Sequence, residues 1–428
     1  VANLTLGKVD ERDGERAIAA TARRVVEAPS LDGFASLAPA GDVRRVSIYD
    51  AHAVFGLVDE LEHLGARALE PNVFFTPRFL APAMPRLDDR RVRLMVARDE
   101  DDRRSRLRFL MPFTVERLQR PSRRGAVRAW THPFGPLGVL PLDRDDPAGT
   151  ARSLLDALRA PEHALPPLLV LPDLPVGGEL ARCLAEAAQE ANMPFAWADR
   201  SARAFLDADG HEPAEVLRQA LGPAGFRDHR RRLRQLADLG EVAFECAAEP
   251  GAVREALEDF LHLEASGWKG RRRSALLIDR HRAAFAREAV NGLAERGMAR
   301  VYTLRVAGAA AASLVVLHAQ GHAAAWKTAY DERLRRYGPG ALVAALATQA
   351  LVADPAIHTA DSCTVPDHGV MNRLWRGRIA VGTLVVGLDD PRGEQVADAV
   401  AAIEGARRRL NRRRIWRERL RHLWPARG

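Results

Sequence analysis

Apolar and polar positions alternate along this chain with two periods, and the switches between them mark elements. From Val43 onward, period-two runs predict strands at 44–50, 92–97, 106–115, 126–130, 167–171 and 194–198. Helical spacing predicts helices at 53–64, 77–84, 149–159 and 178–191. A second series follows, with strands at 241–245, 299–306, 310–319, 322–330, 357–363 and 379–386. Its helices are predicted at 253–266, 280–296, 341–353 and 369–376. Gly297 stops the second of these, as a glycine after the last helical residue does. No element is read between 199 and 240. Residues 14–27 form one helix-like stretch ahead of the first series, and from Pro391 the chain reads as one long helix.

The two series run the same course. Val46 and Val242 mark equivalent strands 196 residues apart, and the loops at Gly135 and Gly338 are separated by 203. We expect one fold used twice. The implied division is 1–40 as an extension, 41–205 and 206–390 as two domains, and 391–428 as a terminal helix.

Composition narrows the class. Of 428 residues, 47% are hydrophobic and 28% charged, enough apolar material for two cores. The longest nearly uncharged apolar run, Val306 to Leu317, is far short of the ~20 residues a spanning helix needs. No export signal is read at the amino terminus. Three separated cysteines, Cys183, Cys246 and Cys363, fit neither a disulfide framework nor a Cys-x-x-Cys metal site. A reduced, cytoplasmic setting is expected.

The net charge of +8 is confined to the tail, where residues 401–428 hold ten Arg and two Glu. The preceding 400 residues are balanced, so no specific nucleic-acid partner is expected. Val396, Val400, Ile403, Leu410, Leu420 and Leu423 recur along that tail, with Trp416 and Trp424 in its Arg-rich part. It fits either a docked helix or one touching anionic lipid peripherally at the inner membrane. Lysine is rare: Lys8, Lys269 and Lys327 stand against 61 Arg. Trp268-Lys269 and Trp326-Lys327 therefore draw notice, because a compact ammonium is not interchangeable with a guanidinium.

The sharpest chemical signal is Arg335-Arg336-Tyr337-Gly338-Pro339-Gly340-Ala341, between a strand and a long apolar helix. Glycines allow close approach, and backbone N–H groups with the helix dipole favour an anion there. The alternative is a plain helix start with a tight turn. Its Arg-x-x-Gly-x-Gly pattern resembles the acyl-CoA pyrophosphate loop of the GNAT N-acetyltransferases. Trp326 to Asp331, Tyr337 to Gly340, Asp361, Met371 to Trp375 and Glu264 to Gly270 are similar to the CelD/BcsL branch, itself similar to FemAB-like transferases. The resemblance covers about 225 to 390; over 43 to 200 it rests on element order, since His132 to Gly138 lacks the loop spacing.

The resemblance implies an α/β protein of two tandem GNAT-like domains, with mixed, largely antiparallel sheets flanked by helices. It implies acetyl-CoA or another acyl-CoA as cofactor, held by Ala329, Tyr330, Arg335, Arg336, Tyr337, Gly338, Pro339, Gly340 and Ala341. The implied activity is acyl transfer to the amine of a small-molecule or saccharide acceptor connected with envelope or polysaccharide synthesis. Direct attack needs a proton acceptor for the amine and a donor for the departing thiolate. Asp361 is the first candidate base, with Asp331 beside it, and Tyr330 or Tyr337 a candidate donor. Glu264, Trp268, Lys269, Trp326 and Lys327 are the candidate acceptor pocket. Two rivals are a FemAB-like transferase using aminoacyl-tRNA and a non-catalytic binding protein. His318 and His322 sit on a strand turn without a His-Glu-x-x-His pattern, so no metal is expected.

Overall fold

The computed structural model describes residues 43–423 apart from 89, 101–104 and 121, with side chains as far as 412. The helix-like stretch at 14–27 and the side chains of Trp416, Leu420, Leu423 and Trp424 lie outside the described residues. The described chain contains no helix long and apolar enough to cross a membrane.

The first series supplies strands β1 (Val43–Asp50), β2 (Arg93–Glu100), β3 (Ser105–Arg117), β4 (Gly125–Ala129), β5 (Leu168–Pro175) and β6 (Phe195–Asp207). Between them lie helices α1 (Val58–Ala66), α2 (Pro77–Leu87), α3 (Pro147–Arg159) and α4 (Glu179–Glu190). A helix at Pro213–Ala237, α5, joins the halves. The second series supplies β7 (Val242–Ala247), β8 (Ala299–Val306), β9 (Ala309–Ala319), β10 (His322–Tyr330), β11 (Thr359–Asp361) and β12 (Gly377–Gly387). Its longer helices are α6 (Pro250–Ser266), α7 (Arg280–Ala294) and α8 (Pro339–Ala353), and α9 (Glu394–Leu423) closes the chain.

Where two sheets were expected, all twelve described strands join edge to edge in the order β1-β2-β3-β4-β5-β12-β6-β11-β10-β9-β8-β7. The class is as expected, a mixed and largely antiparallel sheet flanked by helices. Its seam is an exchange. β12, from the end of the second series, pairs antiparallel with β5 of the first, and β6 pairs antiparallel with β11 of the second. β6 and β12 also pair with each other. Each half is thus completed by the other's last strand, and a boundary between 205 and 206 falls inside β6.

The core follows the seam. Phe79 of α2, Phe285 of α7 and Trp326 of β10 meet edge to face with ring centroids 5.2 to 6.4 Å apart, joining the halves in one apolar cluster. A second cluster lies between the sheet and α8, whose Leu342, Val343, Ala345, Ala347 and Leu351 are buried. Such a nearly continuous apolar helix has to be an interior one. Val396, Ala399 and Ala402 of α9 are buried against the sheet, which docks that helix by its first turns.

Candidate functional site

β10 runs antiparallel to β9 along its whole length, but its parallel pairing with β11 covers only His322–Ala324 against Thr359–Asp361. β11 ends at Asp361, two residues before Cys363 takes the left-handed region at φ 51°, an uncommon conformation outside glycine. From Ala325 to Tyr330 that edge of β10 has no paired strand among the described residues. Its end at Tyr330 lies next to α8, whose N-cap is Gly338 at φ 67° with Pro339 as the first helical residue. No side chain caps this helix start. Arg335 and Arg336 are exposed at the turn before it, and a Cβ on Gly338 would lie 2.6 Å from Nη1 of Arg232 on α5. Gly340 faces Tyr330, since a Cβ there would meet the Tyr330 ring at 3.1 Å. Glycine at both positions lets Arg232 and the Tyr330 ring approach the backbone closely and brings strand end and helix start together. Gly338 N–H donates to the Arg335 carbonyl and Ala341 N–H to the Gly338 carbonyl, and Pro339 has none, so Gly340 N–H with the exposed Arg335 and Arg336 is what the turn offers a diphosphate.

On β10 itself the register with β9 shifts between Ala325 and Lys327, making Trp326 a bulged residue. A bulge re-aims side chains, and here consecutive residues serve one pocket. Trp326 Nε1 donates to the Phe134 carbonyl at 2.6 Å, and Lys327 Nζ lies 4.7 Å from the centre of the Phe134 ring. Lys327 and Lys269 both donate to Glu264 Oε1, at 3.2 and 3.1 Å, while Glu264 Oε2 accepts from Leu276 N at 2.8 Å. Both lysines of the Trp-Lys pairs thus converge on one carboxylate, which is only 2% exposed. Burial pushes the Glu264 carboxyl up, but Lys327 and Lys269 outweigh it and hold it below the usual carboxylate value. Burial lowers the Lys327 ammonium, aided by the neighbouring Lys269 and Arg282 and opposed by Glu264. Trp268 stays apart: it is 41% exposed, its backbone N–H donates to Glu332, and Arg272 stacks on its ring.

The four candidates for proton transfer separate. Asp361, expected to take the amine proton, is fully buried. Its Oδ2 accepts from Nε and Nη2 of Arg203, and its Oδ1 from Cys363 N at 2.8 Å. Arg203 in turn donates to the Pro136 carbonyl at 2.8 Å. With no oxygen facing open space, this carboxylate ties β6, β11 and the 132–138 loop together and does not present itself to an acceptor. Asp331 caps the turn after β10 by accepting from Arg333 N, and its hydrogen bonds to the Arg333 side chain hold it below the usual range, a poor setting for a base. Tyr330 is half-buried beside Gly340. Tyr337 is buried, its hydroxyl accepting from Arg336.

Arg203, Phe134, Arg232 and Arg282 were not among the expected site residues. Phe134 belongs to the loop at 132–138, visible as a Gly-Pro segment, but nothing in its sequence says that it reaches the other half. Arg203 and Arg232 lie in the stretch from which no element was read.

Residues 225–367 match the family model for an acetyltransferase (GNAT) domain. The fold is similar to FemX, with a TM-score of 0.51, 10% identity, and coverage of 79% of this chain and 98% of that one. A conserved protein from Bacteroides thetaiotaomicron VPI-5482 aligns over 79% of this chain and 99% of its own at 12% identity, TM-score 0.48. A tandem GNAT protein from the clavulanic acid biosynthesis pathway aligns over 80% and 99% at 13% identity, TM-score 0.36. No curated protein matches the sequence. At such identities the likeness to FemX speaks for the fold, and the activity is argued from the site.

Proposed function

We propose that the protein is an acyl-CoA-dependent N-acyltransferase acting by direct transfer to an amine. The observation that carries this reading is the edge of β10 left without a strand partner beyond Ala324, beside a glycine-containing helix start that no side chain caps. Gly338 to Ala341, with Arg335 and Arg336, would hold the diphosphate, and the unpaired edge of β10 at Ala329 and Tyr330 would receive the acyl arm. Acyl-CoA, when bound, supplies an activated carbonyl and a thiolate leaving group.

The protein's own residues orient and exclude. Glu264, Lys269, Lys327 and Trp326 line the acceptor side, and Phe134 of the first half forms its wall. Asp361 and Arg203 hold the end of β11 in place. The neutral acceptor amine attacks the thioester carbonyl, the carbon–sulfur bond breaks, Tyr330 protonates the departing sulfur, and the proton shed by the amine nitrogen returns to the Tyr330 oxygen. In this reading acyl-CoA is bound by the second half, 206–390, and the first half, 41–205, contributes Phe134 to the acceptor side. A CelD/BcsL-type role, acetylating an amine of an envelope or polysaccharide precursor, is the finer form of the proposal.

Calorimetry with acetyl-CoA and CoA tests the reading directly, since absence of affinity for either ends it. Tyr330→Phe should then lower kcat roughly 10- to 100-fold with acyl-CoA affinity unchanged.

A further inference from the structure

Three cations gather around Phe134 and Glu264 and face two carboxylates: Glu264, and Asp279 within electrostatic reach of Arg282. Lys269 is doubly engaged, donating to Glu264 Oε1 at 3.1 Å and to the Thr328 carbonyl at 3.0 Å. Lys327 shares the same oxygen and otherwise faces the Phe134 ring. Arg282, near the start of α7, has its guanidinium carbon 6.0 Å from the centre of that ring. No carboxylate among the described residues lies within ion-pair distance of the Arg282 guanidinium. The neighbouring Asp279 accepts from the backbone N–H groups of His281 and Arg282, as an N-cap does. His132, which also packs on Phe134, is held down to about 4 by burial and adds no charge at neutral pH. Half-buried positive charge in excess of its counter-charge is costly unless an anion completes it.

We infer that the acceptor carries an anionic group, a carboxylate or a phosphate, close to its reacting amine, and that this group docks on Lys327 and Arg282 beside Phe134. The inference rests on the acyl-transfer reading and narrows its substrate class to anionic amines. An ammonium and a guanidinium that both lie against one aromatic ring, within electrostatic reach of each other, offer charge-assisted donors to one anionic group. The bulge at Trp326 is what turns Lys327 into this position, on the stretch of β10 that β11 leaves unpaired. Phe134 comes from the first half, so the subsite exists only because the halves share a core.

The rarity of lysine supplies the test. With three lysines in the chain, carbon-13 labelling of lysine side chains gives three ε-methylene signals, assigned by Lys269→Arg and Lys327→Arg. The full chain, saturated with CoA so that the diphosphate position is filled, is titrated with inorganic phosphate, glucosamine 6-phosphate, β-alanine and glucosamine. The expected result is a saturable shift of the Lys327 signal with an anionic probe and none with glucosamine, weakened roughly tenfold in Arg282→Met. A response to the phosphosugar but not to β-alanine assigns the anion as phosphate, and the converse as carboxylate. A silent Lys327 with every anion, or an equal shift with glucosamine, overturns the inference. CoA binding beside a silent lysine removes the subsite alone, whereas a responding lysine in a protein without CoA affinity removes the acyl-transfer reading and keeps the anion site.

Discussion

The two halves begin equivalent helices in nearly the same way and with opposite consequences. α3 opens Asp146-Pro147-Ala148-Gly149 and α8 opens Gly338-Pro339-Gly340-Ala341. Both N-caps are left-handed, at φ 60° and 67°, and both helices have proline at the first helical position, where its missing N–H costs nothing. In α3 the Asp146 side chain accepts from Gly149 N at 3.0 Å and pairs with Arg44 at 2.9 Å. Around it, Asp143 and Asp145 are engaged by Arg67, Arg106 and Arg108. That helix start already holds an anion, its own. In α8 the same backbone carries a hydrogen where α3 carries a carboxylate, and the positive end faces outward with exposed arginines beside it. On the proposed reading, one side chain decides whether a helix start is closed or receptive.

The comparison can be broken most severely at the seam. Arg203→Met leaves Asp361 buried without its partner and should cost about 3 to 5 kcal/mol in urea unfolding. The double variant Arg203→Met/Asp361→Leu should recover most of that loss. A single-variant cost under about 1 kcal/mol would mean that the pair does not hold the halves together. Next in size, Gly338→Asp copies the α3 cap onto α8. Aspartate tolerates this φ, as Asp146 shows, so the fold should survive. Calorimetry should show acyl-CoA affinity falling at least about 100-fold, or ~2.7 kcal/mol, and retained affinity would refute the role given to the α8 start.

A pH series separates the halves further. His132 in the first half and His318 in the second are each held down to about 4 by burial, below the ordinary 6.5. The unfolded chain therefore binds protons that the folded one refuses, and stability drops as pH falls from about 6.5 towards 4. Each histidine should contribute roughly 1 to 3 kcal/mol to that drop, and His318→Asn or His132→Asn should flatten the curve of melting temperature against pH. Glu264 is depressed by its lysines, so its contribution persists above the usual carboxylate value and is lost only at lower pH. The smallest effect is expected from Asp146→Ala, about 1 kcal/mol of lost capping with no gain of acyl-CoA binding. A gain of binding would show that the first half is closed by this one carboxylate alone.

Parts of the site were legible residue by residue. The glycine loop stood out because only a few residue types suit a left-handed turn into a helix, and Lys269 and Lys327 stood out against a background of arginine. The 199–240 stretch was not legible. The latter part of α5 carries Arg227, Arg230, Arg231, Arg232 and Arg234 on most of its faces, and Gly222 at φ 65° and Pro223 break it, so no apolar stripe marks it. Periodicity reports burial on one side, and a helix exposed on most sides has little to report.

By itself the sequence determined the order and type of most elements, the doubling of the series and the place of the glycine loop, because propensity, turn chemistry and amphipathic period act over a few residues. The tertiary structure alone decided that β6 and β12 change places, that Asp361 is consumed by Arg203, and that Phe134 packs against Lys327 and Trp326. Those outcomes depend on which edges and side chains, far apart in the chain, can satisfy one another's hydrogen bonds and charges, and no local pattern encodes the partner.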